Sequence, residues 1–338
     1  MHSPSRGRPL RALCLILGIL SQRCAAAPAD DLAVTGEIRG QDGAFDFAAV
    51  DPALGALYVA REDGVMRVDL ATRQVTSTFV PGNKVHAVIP LPDGRLLSTN
   101  GETNTITLAD ARTGAVLATL PAGRNPDAAI RDTATGLVFV MNGDDGTVTV
   151  VDPAGPAVSQ ITIGGTLKSA AADGAGRLYV AVKDSRRIAV LDIAQRKPVA
   201  AYPLPDCEDP SGLALDPANR ILLAACKNQK AVAVRADDGA VVASLEIDRV
   251  PHAVLFDSDR KLFFVPCARD ATMIAIAANG GRPTVLRKIP TAIGARTGAL
   301  DPRSGALYLP AADYSIGFGG ITQKAGTFRI LVVGASHG

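Results

Sequence analysis

A short apolar triplet recurs seven times along this chain and constrains its fold more than any other feature. Each triplet follows a turn, and each unit holds several short strand patterns. The triplets are separated by 39, 42, 40, 44, 41 and 44 residues and begin at Leu57, Leu96, Val138, Leu178, Leu222, Phe263 and Leu307. A period of about 40–45 residues with several strands per unit is typical of propeller blades. We therefore expect an all-β, seven-bladed β-propeller with four-stranded antiparallel blades.

The third unit shows the pattern of one blade most clearly. Residues 127–132 predict an innermost strand, and residues 137–141 predict the second strand after an Asp/Gly turn. The segment 142–146 (NGDDG) predicts a hairpin turn. Alternating β-branched residues predict the third strand at 147–152, and the outer strand follows at 158–162. Aspartates that end the third strands are expected to cap turns.

The last unit predicts how the ring closes. It has candidate strands at 297–300, 306–309 and 328–333, and then the chain ends without an outer strand. Residues 32–39 resemble the outer strands of other units, so we expect them to complete the last blade and remove an open sheet edge. The long link 315–326, with its Gly-Phe-Gly-Gly run, is predicted to be a flexible flap.

The N-terminal residues 1–27 are predicted to be a secretory signal peptide, because a basic start precedes a nine-residue apolar run and a small-residue segment. Residues 28–338 are then expected to form one propeller domain. The chain has 35 Lys+Arg and 33 Asp+Glu, and the predicted signal holds four of the arginines and no acid. The remainder therefore has 31 basic and 33 acidic residues, a net charge of −2. No cationic face indicates nucleic-acid binding, no further segment predicts a membrane span, and a monomer is expected.

At one end of a propeller, which we call the upper face, each blade has two links. One link leads into the inner strand, and the other joins the second strand to the third. The links into the inner strands of blades four and five carry Lys168 and Ser211. We predict a ligand-binding upper funnel formed by Asp46, His86, Asn100, Asp127, Asn142, His252 and Arg296. This mixed-charge set could hold a small polar ligand or a loop of another protein. His86 and His252 occupy matching repeat positions, either as ligands or general bases or as structural histidines bonded to backbone.

Cys207, Cys226 and Cys267 remain after the predicted signal is removed. In an oxidising compartment a disulfide can form, and the placement of two cysteines in blade five favours a Cys207–Cys226 bond that stabilises by about 3 kcal/mol. A Cys226–Cys267 bond is the alternative. Cys267 with His252 could also form a thiolate–imidazole copper or zinc site. Spacing patterns for catalytic nucleophiles, phosphate loops, haem attachment and strong metal sites are absent from the sequence, so neither a cofactor nor a metal is expected.

Several segments carry a resemblance to a known family. They are residues 139–144 (FVMNGD), 147–152 (TVTVVD), 207–216 (CEDPSGLALD), 294–297 (GART) and 327–334 (TFRILVVG). With the repeat, they resemble the YncE-like, YVTN-repeat seven-bladed propellers exported by bacteria, over residues 32–335. Arg61, Lys168 and Cys267 depart from the residues expected at those positions.

The resemblance implies a periplasmic or secreted propeller without an assigned reaction. Related propellers include lactonases, surface-layer modules and partners of periplasmic redox enzymes. The leading hypothesis is a non-catalytic binding scaffold for a small polar ligand or a periplasmic protein. The alternatives are a lactonase-type hydrolase using Asp127, His86 and His252, with or without a divalent metal, and an accessory module of a redox enzyme or transporter.

Overall fold

Seven four-stranded antiparallel sheets arranged in a ring form the molecule, together with one two-stranded hairpin. The computed structural model describes residue 2 and residues 31–155, 157–317 and 320–336. The expected all-β, seven-bladed propeller is thereby confirmed. Apart from residue 2, the predicted signal peptide lies outside the described residues.

Six blades consist of four consecutive strands each, and the seventh combines both ends of the chain. The strands of blades one to three are β2 (Phe45–Asp51), β3 (Ala56–Arg61), β4 (Gly64–Asp69), β5 (Val75–Pro81), β6 (Val85–Pro90), β7 (Arg95–Asn100), β8 (Thr105–Asp110), β9 (Val116–Pro121), β10 (Pro126–Arg131), β11 (Val138–Asn142), β12 (Thr147–Val151) and β13 (Val158–Thr162). Those of blades four to six are β14 (Leu167–Ala172), β15 (Arg177–Val182), β16 (Arg187–Asp192), β17 (Lys197–Pro203), β18 (Pro210–Asp216), β19 (Ile221–Cys226), β20 (Lys230–Arg235), β21 (Val241–Glu246), β22 (Leu255–Asp257), β23 (Leu262–Cys267), β24 (Thr272–Ala277) and β25 (Thr284–Pro290). Blade seven contains β26 (Ala299–Leu300), β27 (Leu307–Ala311), β30 (Arg329–Ala335) and β1 (Leu32–Arg39).

The ring closes through the N-terminal strand, as predicted. β1 pairs antiparallel with β30, from Leu32 opposite Ala335 to Arg39 opposite Arg329. Its side chains Leu32 and Ile38 are buried. At the centre, β26 contacts both β22 and β2, so the inner strands follow one another around a closed circle.

The apolar core lies between neighbouring blades. Second and third strands read as continuous apolar runs because they are covered on both faces, as in β19 and β23. Tyr179 of blade four and Leu222 of blade five, for example, belong to one buried cluster. The third-strand aspartates cap turns as expected: the Asp69 carboxylate accepts the backbone N–H groups of Ala71 and Thr72 at 3.1 and 2.9 Å.

Part of the long link of blade seven, which the sequence predicted to be a flexible flap, has regular secondary structure. It forms a hairpin, β28 (Tyr314–Gly317) with β29 (Gly320–Gln323), because Ser315 and Thr322 face each other across an antiparallel ladder. The carboxylate of Asp42 anchors the base of this hairpin by accepting the backbone N–H groups of Gly326, Thr327 and Phe328.

The innermost strand of blade seven is shorter than predicted and begins at Ala299. The Thr297 hydroxyl bonds the backbone oxygen of Asp46 in blade one at 2.8 Å, so this segment is tied to the next blade before its own ladder begins. A short 3-10 turn spans Asn279–Gly281. Among the described residues no helix has the length and hydropathy needed to cross a membrane.

Candidate functional site

Seven equivalent residues, one from each blade, surround the upper end of the central channel. In blades one to six the residue just before the ring position pairs with the end of the second strand, as Val85 pairs with Asn100 and Pro126 with Asn142. We call this set the mouth ring; its members are Asp46, His86, Asp127, Lys168, Ser211, His252 and Arg296. The repeat register brings them together even though they are 40 or more residues apart in sequence.

The channel directly below the mouth ring is apolar. A cavity of about 170 Å³ is lined by inner-strand residues from all seven blades, most of them small, such as Ala48, Ala87, Ala129 and Ala253. A polar ligand would therefore find its hydrogen-bonding partners in the mouth ring and not deeper in the channel.

Asp46 lies between the two histidines of the mouth ring. His86 donates its Nδ1–H to Asp46 Oδ2 at 2.8 Å, and His252 Nε2 lies 3.6 Å from Asp46 Oδ1. The His252 ring packs beside Phe47, with 5.5 Å between ring centroids. The residue Asp46 is 9% exposed, and its Oδ1 atom has no hydrogen-bond partner among the described residues.

The two histidines set the charge state of Asp46. Burial acts to raise the pKa of this carboxyl, but the interactions with His252 and His86 and the nearby Arg296 charge outweigh burial and hold the pKa well below its ordinary value. For His86, burial acts to lower the pKa, and the hydrogen bond to Asp46 together with the charge of Asp127 outweighs burial and raises it. The pair is therefore an aspartate–imidazolium ion pair at mildly acidic pH.

Asp127 continues the polar network on the other side of His86. Its Oδ2 accepts a hydrogen bond from Lys168 Nζ at 2.5 Å, and the residue is 5% exposed. Candidate ligand atoms of Asp46, His86 and Asp127 all lie within 4.8 Å of one another. Lys168 thus belongs to the site, although the sequence analysis did not include it in the upper funnel. The sequence analysis had already placed it in the link into the inner strand of blade four, where Leu-Lys-Ser aligns with Val-His-Ala of blade two.

Arg296 closes the mouth ring between blades seven and one. Its guanidinium donates to the Phe45 backbone oxygen at 3.2 Å and lies 6.0 Å from the Phe45 ring centroid. The Nε atom of Arg296 is buried and has no hydrogen-bond partner among the described residues.

Asn100 and Asn142 differ from the other predicted funnel residues. Both side chains are buried, and each donates to two threonine hydroxyls of its own third strand; for Asn142 these are Thr147 and Thr149 at 2.8 and 2.9 Å. Asn100 repeats the arrangement one blade earlier, with bonds to Thr105 and Thr107 at 3.2 and 3.0 Å. The structure therefore places these two amides within their blades, where they join second and third strands.

The backbone behind His86 fixes the direction of the imidazole. A Cβ atom on Gly101 would stand 2.7 Å from both Cδ2 and Nε2 of His86, so only glycine allows the ring to pack there. Oδ1 of Asn125 lies 2.9 Å from the same point. Both His86 Nε2 and Asn125 Oδ1 are buried and have no partner among the described residues. The sequence analysis predicted no role for Gly101 or Asn125, because neither residue occupies a mouth-ring position.

The cysteines lie at the upper end of blades five and six. The sulfur atoms of Cys207 and Cys226 are 1.97 Å apart and their Cα atoms 5.2 Å apart, so the pair that the sequence favoured is joined. Cys267 is a free, fully buried thiol. Burial raises its pKa to about 12, which keeps it protonated and argues against the thiolate–imidazole metal site considered with His252.

Comparison with known proteins identifies similar folds only. No protein-family profile and no curated protein matches the chain. Among solved structures, a chain of Kuenenia stuttgartiensis hydrazine synthase superposes with a TM-score of 0.71 at 12% identity, covering 86% of this chain and 98% of that one. A chain from the crystal structure of a mitotic checkpoint complex superposes with a TM-score of 0.72 at 12% identity, with 100% of both chains covered. At this identity the comparisons show that the chain has the propeller fold.

Proposed function

We propose that this protein is an exported binding scaffold of the YncE-like type, whose mouth ring holds a small polar ligand in the periplasm. One observation carries the proposal: buried polar atoms of the mouth ring, Asp46 Oδ1 and Arg296 Nε, have no hydrogen-bond partner among the described residues. Buried polar groups in folded proteins are nearly always paired. Unpaired groups of both kinds, an acceptor and a donor, at the end of a channel favour a ligand that supplies both.

The proposed site can be tested by ligand-dependent thermal stability. A ligand at a concentration 100 times its Kd stabilises a folded protein by about 2.7 kcal/mol. In a screen of metals, sugars and lactones, a ligand of the mouth ring should raise the Tm of the wild-type protein. His86→Ala and Arg296→Ala should reduce that shift while the ligand-free proteins stay folded.

The matched control is Asn142→Ala, because this amide donates to threonines within its own blade and is not a member of the mouth ring. Asn142→Ala should lower the Tm of the free protein but keep the ligand-induced shift. A ligand that stabilises wild type, His86→Ala and Arg296→Ala equally would argue against the mouth ring as its binding site.

A partner protein is the second candidate occupant, favoured by two exposed apolar residues beside the mouth ring. Val250 and Ile293 are 46% and 51% exposed and lie in the links that lead into blades six and seven. A hydrogen-bond chain joins these links, from Ala268 N to the Val250 oxygen at 3.1 Å and from Gly294 N to the Ala268 oxygen at 2.9 Å. Val250 also adopts a φ of 59°, which is unusual for a β-branched residue.

An accessory role beside a periplasmic redox enzyme or transporter would use this surface. Crosslinking in cells from an amber-encoded photoreactive residue at position 293 should capture a partner, and the double variant Val250→Ser/Ile293→Ser should lose it. The same probe at Val116, an exposed residue of an outer strand, is the control. Equal capture from both positions would contradict the proposed docking surface.

Export is part of the proposal and is tested separately. The protein recovered from the periplasmic fraction should have the mass of a chain that lacks about the first 27 residues. Recovery of the full-length chain from the cytoplasm alone would contradict export without bearing on the mouth ring.

A further inference from the structure

We propose that the mouth ring holds a divalent transition-metal ion, bound by Asp46, His86 and Asp127, which contributes to binding the polar ligand. The inference rests on the proposed function, since it concerns the same site. The sequence analysis expected no metal in its leading hypothesis and left a divalent metal at these residues open only as part of the hydrolase alternative.

The first observation is the spacing of the ligand atoms. Two protein ligands that are each about 2.1 Å from one ion stand roughly 3–3.5 Å apart in tetrahedral or octahedral sites. Asp46 Oδ2 and His86 Nδ1 are 2.8 Å apart, and a carboxylate oxygen of Asp127 lies within 4.8 Å of both residues' ligand atoms. His252 Nε2 lies 3.6 Å from Asp46 Oδ1 but is not among the atoms that lie within 4.8 Å of one another. Small side-chain rotations would bring the set around one ion.

The second observation is the unpaired carboxylate oxygen. Asp46 is 9% exposed, and Oδ1 is buried with no hydrogen-bond donor among the described residues. An unpaired buried acceptor of a charged group is costly, and a cation bound by both carboxylate oxygens of Asp46 would remove that cost while it replaces the Nδ1 proton at Oδ2. The other side of the site contributes Asp127, so two carboxylates balance the charge of one divalent ion.

The third observation concerns the imidazole tautomer. A metal bound at His86 Nδ1 requires the proton to reside on Nε2. The buried Nε2 and Asn125 Oδ1 lie 2.7 and 2.9 Å from one common point beside Gly101, and neither atom has a partner among the described residues. The two atoms do not bond each other in this structure. A small movement of either side chain would let Asn125 accept the Nε2–H, the kind of outer contact that orients metal-binding histidines. In the metal-bound state the ion replaces the Nδ1 proton between His86 and Asp46, so binding releases one proton when His86 starts as imidazolium.

The mixed imidazole and carboxylate set selects among metals. Such donors suit Zn²⁺, Mn²⁺ or Co²⁺, whereas an all-oxygen site would suit Ca²⁺ or Mg²⁺. Lys168 is a competing cation, because its ammonium already bonds Asp127. Removing the Lys168 charge should therefore strengthen metal binding. If these side chains only stabilised the fold, removing the charge would not create tighter binding of a metal.

The test is metal binding to the untagged, chelator-treated protein, followed by equilibrium dialysis against Zn²⁺ or Mn²⁺ and elemental analysis. We expect one ion per chain. His86→Gln and Asp127→Asn should each weaken binding by at least about tenfold, and Lys168→Met should tighten it. Ser211→Ala, at the ring position without a metal-binding group, is the matched control and should leave binding unchanged.

Circular dichroism establishes which variants are folded, and a Co²⁺ absorption spectrum reports the ligand set in each folded variant. Absence of saturable binding to the folded wild-type protein would overturn the metal inference. Unchanged stoichiometry in His86→Gln/Asp127→Asn would overturn it as well. If the wild type binds no ion but His86→Ala still abolishes the thermal shift by a metal-free ligand, the metal inference fails and the proposed function stands.

Discussion

At the residue scale, the ion pair of Asp46 and His86 should make stability depend on pH in a defined direction. The pKa of Asp46 is lowered from 3.8, so its contribution is present above pH 3.8 and is lost as pH falls through the folded-state pKa. The pKa of His86 is raised from 6.5, so its contribution is present below pH 6.5 and is lost as pH rises through its folded-state pKa. The ion pair is therefore complete between about pH 4 and pH 6.5.

Asp46→Asn should lower the free energy of unfolding by about 2 kcal/mol near pH 5.5, and the difference from wild type should become smaller above pH 8. The charges of His252, Arg296 and Asp127 also act on this pair. The wild type and Asp46→Asn are therefore compared with these three residues unchanged. Urea unfolding across pH measures it. A difference that grows from pH 5.5 to pH 8.5 would contradict the assignment of the imidazolium.

Gly101 offers a second test at this scale, because it controls the position of His86 without belonging to the mouth ring. Gly101→Ala should destabilise by about 1–3 kcal/mol through overpacking and should displace the imidazole from Asp46. Gly143→Ala is the matched control: it occupies the same place in the next blade, and its Cβ would meet nothing closer than 3.5 Å. Histidine NMR shifts should change in the first variant only, and equal changes in both would argue against a positioning role.

Individual residues also show where sequence reasoning ends. His86, His252 and Asp127 could be predicted as neighbours because the repeat gives them one register. It could not be predicted that Asn100 and Asn142 lie apart from these residues. Both asparagines end a second strand, and this position does not reveal whether the amide faces the channel or bonds the third strand of its own blade. The Lys168–Asp127 pair joins consecutive blades at that same register, so the repeat could have predicted it as well.

At the element scale, the Cys207–Cys226 bond is expected to stabilise blade five by about 3 kcal/mol, because it restricts a loop of 19 residues in the unfolded chain. A reducing agent should lower the free energy of unfolding of the wild type by that amount and should leave Cys207→Ser unaffected. Cys267→Ala is the control, since its thiol is free. A response to reductant in Cys207→Ser would contradict this pairing.

The Asp42 carboxylate makes another element-scale prediction, because it joins the β1–β2 link to the base of the blade-seven hairpin. Hydrogen bonds from the backbone N–H groups of Gly326 and Phe328 lower the pKa of Asp42. Its contribution is therefore present above pH 3.8 and lost as pH falls through the folded-state pKa. Asp42→Asn should lower the Tm at pH 7, and the difference should diminish towards pH 3. Hydrogen exchange should show faster exchange at 326–328 only.

The hairpin itself illustrates what was not predictable at this scale. The glycines of the link predicted a flexible backbone. The hairpin is held by the cross-strand pairing of Ser315 with Thr322 and, at its base, by hydrogen bonds to Asp42, which is more than 280 residues away in the sequence. By contrast, the outer strand β13 has the predicted bounds, because turns on both sides define it locally.

At the scale of the whole molecule, the mouth ring requires a closed circle of blades. A protein beginning at residue 40 lacks β1 and leaves β30 as an open edge. Loss of the buried Leu32 and Ile38 alone should lower the free energy of unfolding by at least about 3 kcal/mol. The control begins at residue 31 and keeps β1. Equal Tm values for the two proteins would contradict closure by the N-terminal strand.

The most direct measurement of the binding site is a crystal structure of the wild-type protein grown with Mn²⁺ or Zn²⁺, with anomalous diffraction recorded at the absorption edge of the metal. We expect one anomalous peak at the upper end of the channel, at about 2.0–2.2 Å from atoms of Asp46, His86 and Asp127. Seven blades whose mouth-ring side chains point away from one another, or a metal peak only at surface residues outside the ring, would contradict the central claim that closure of the repeat assembles a binding site.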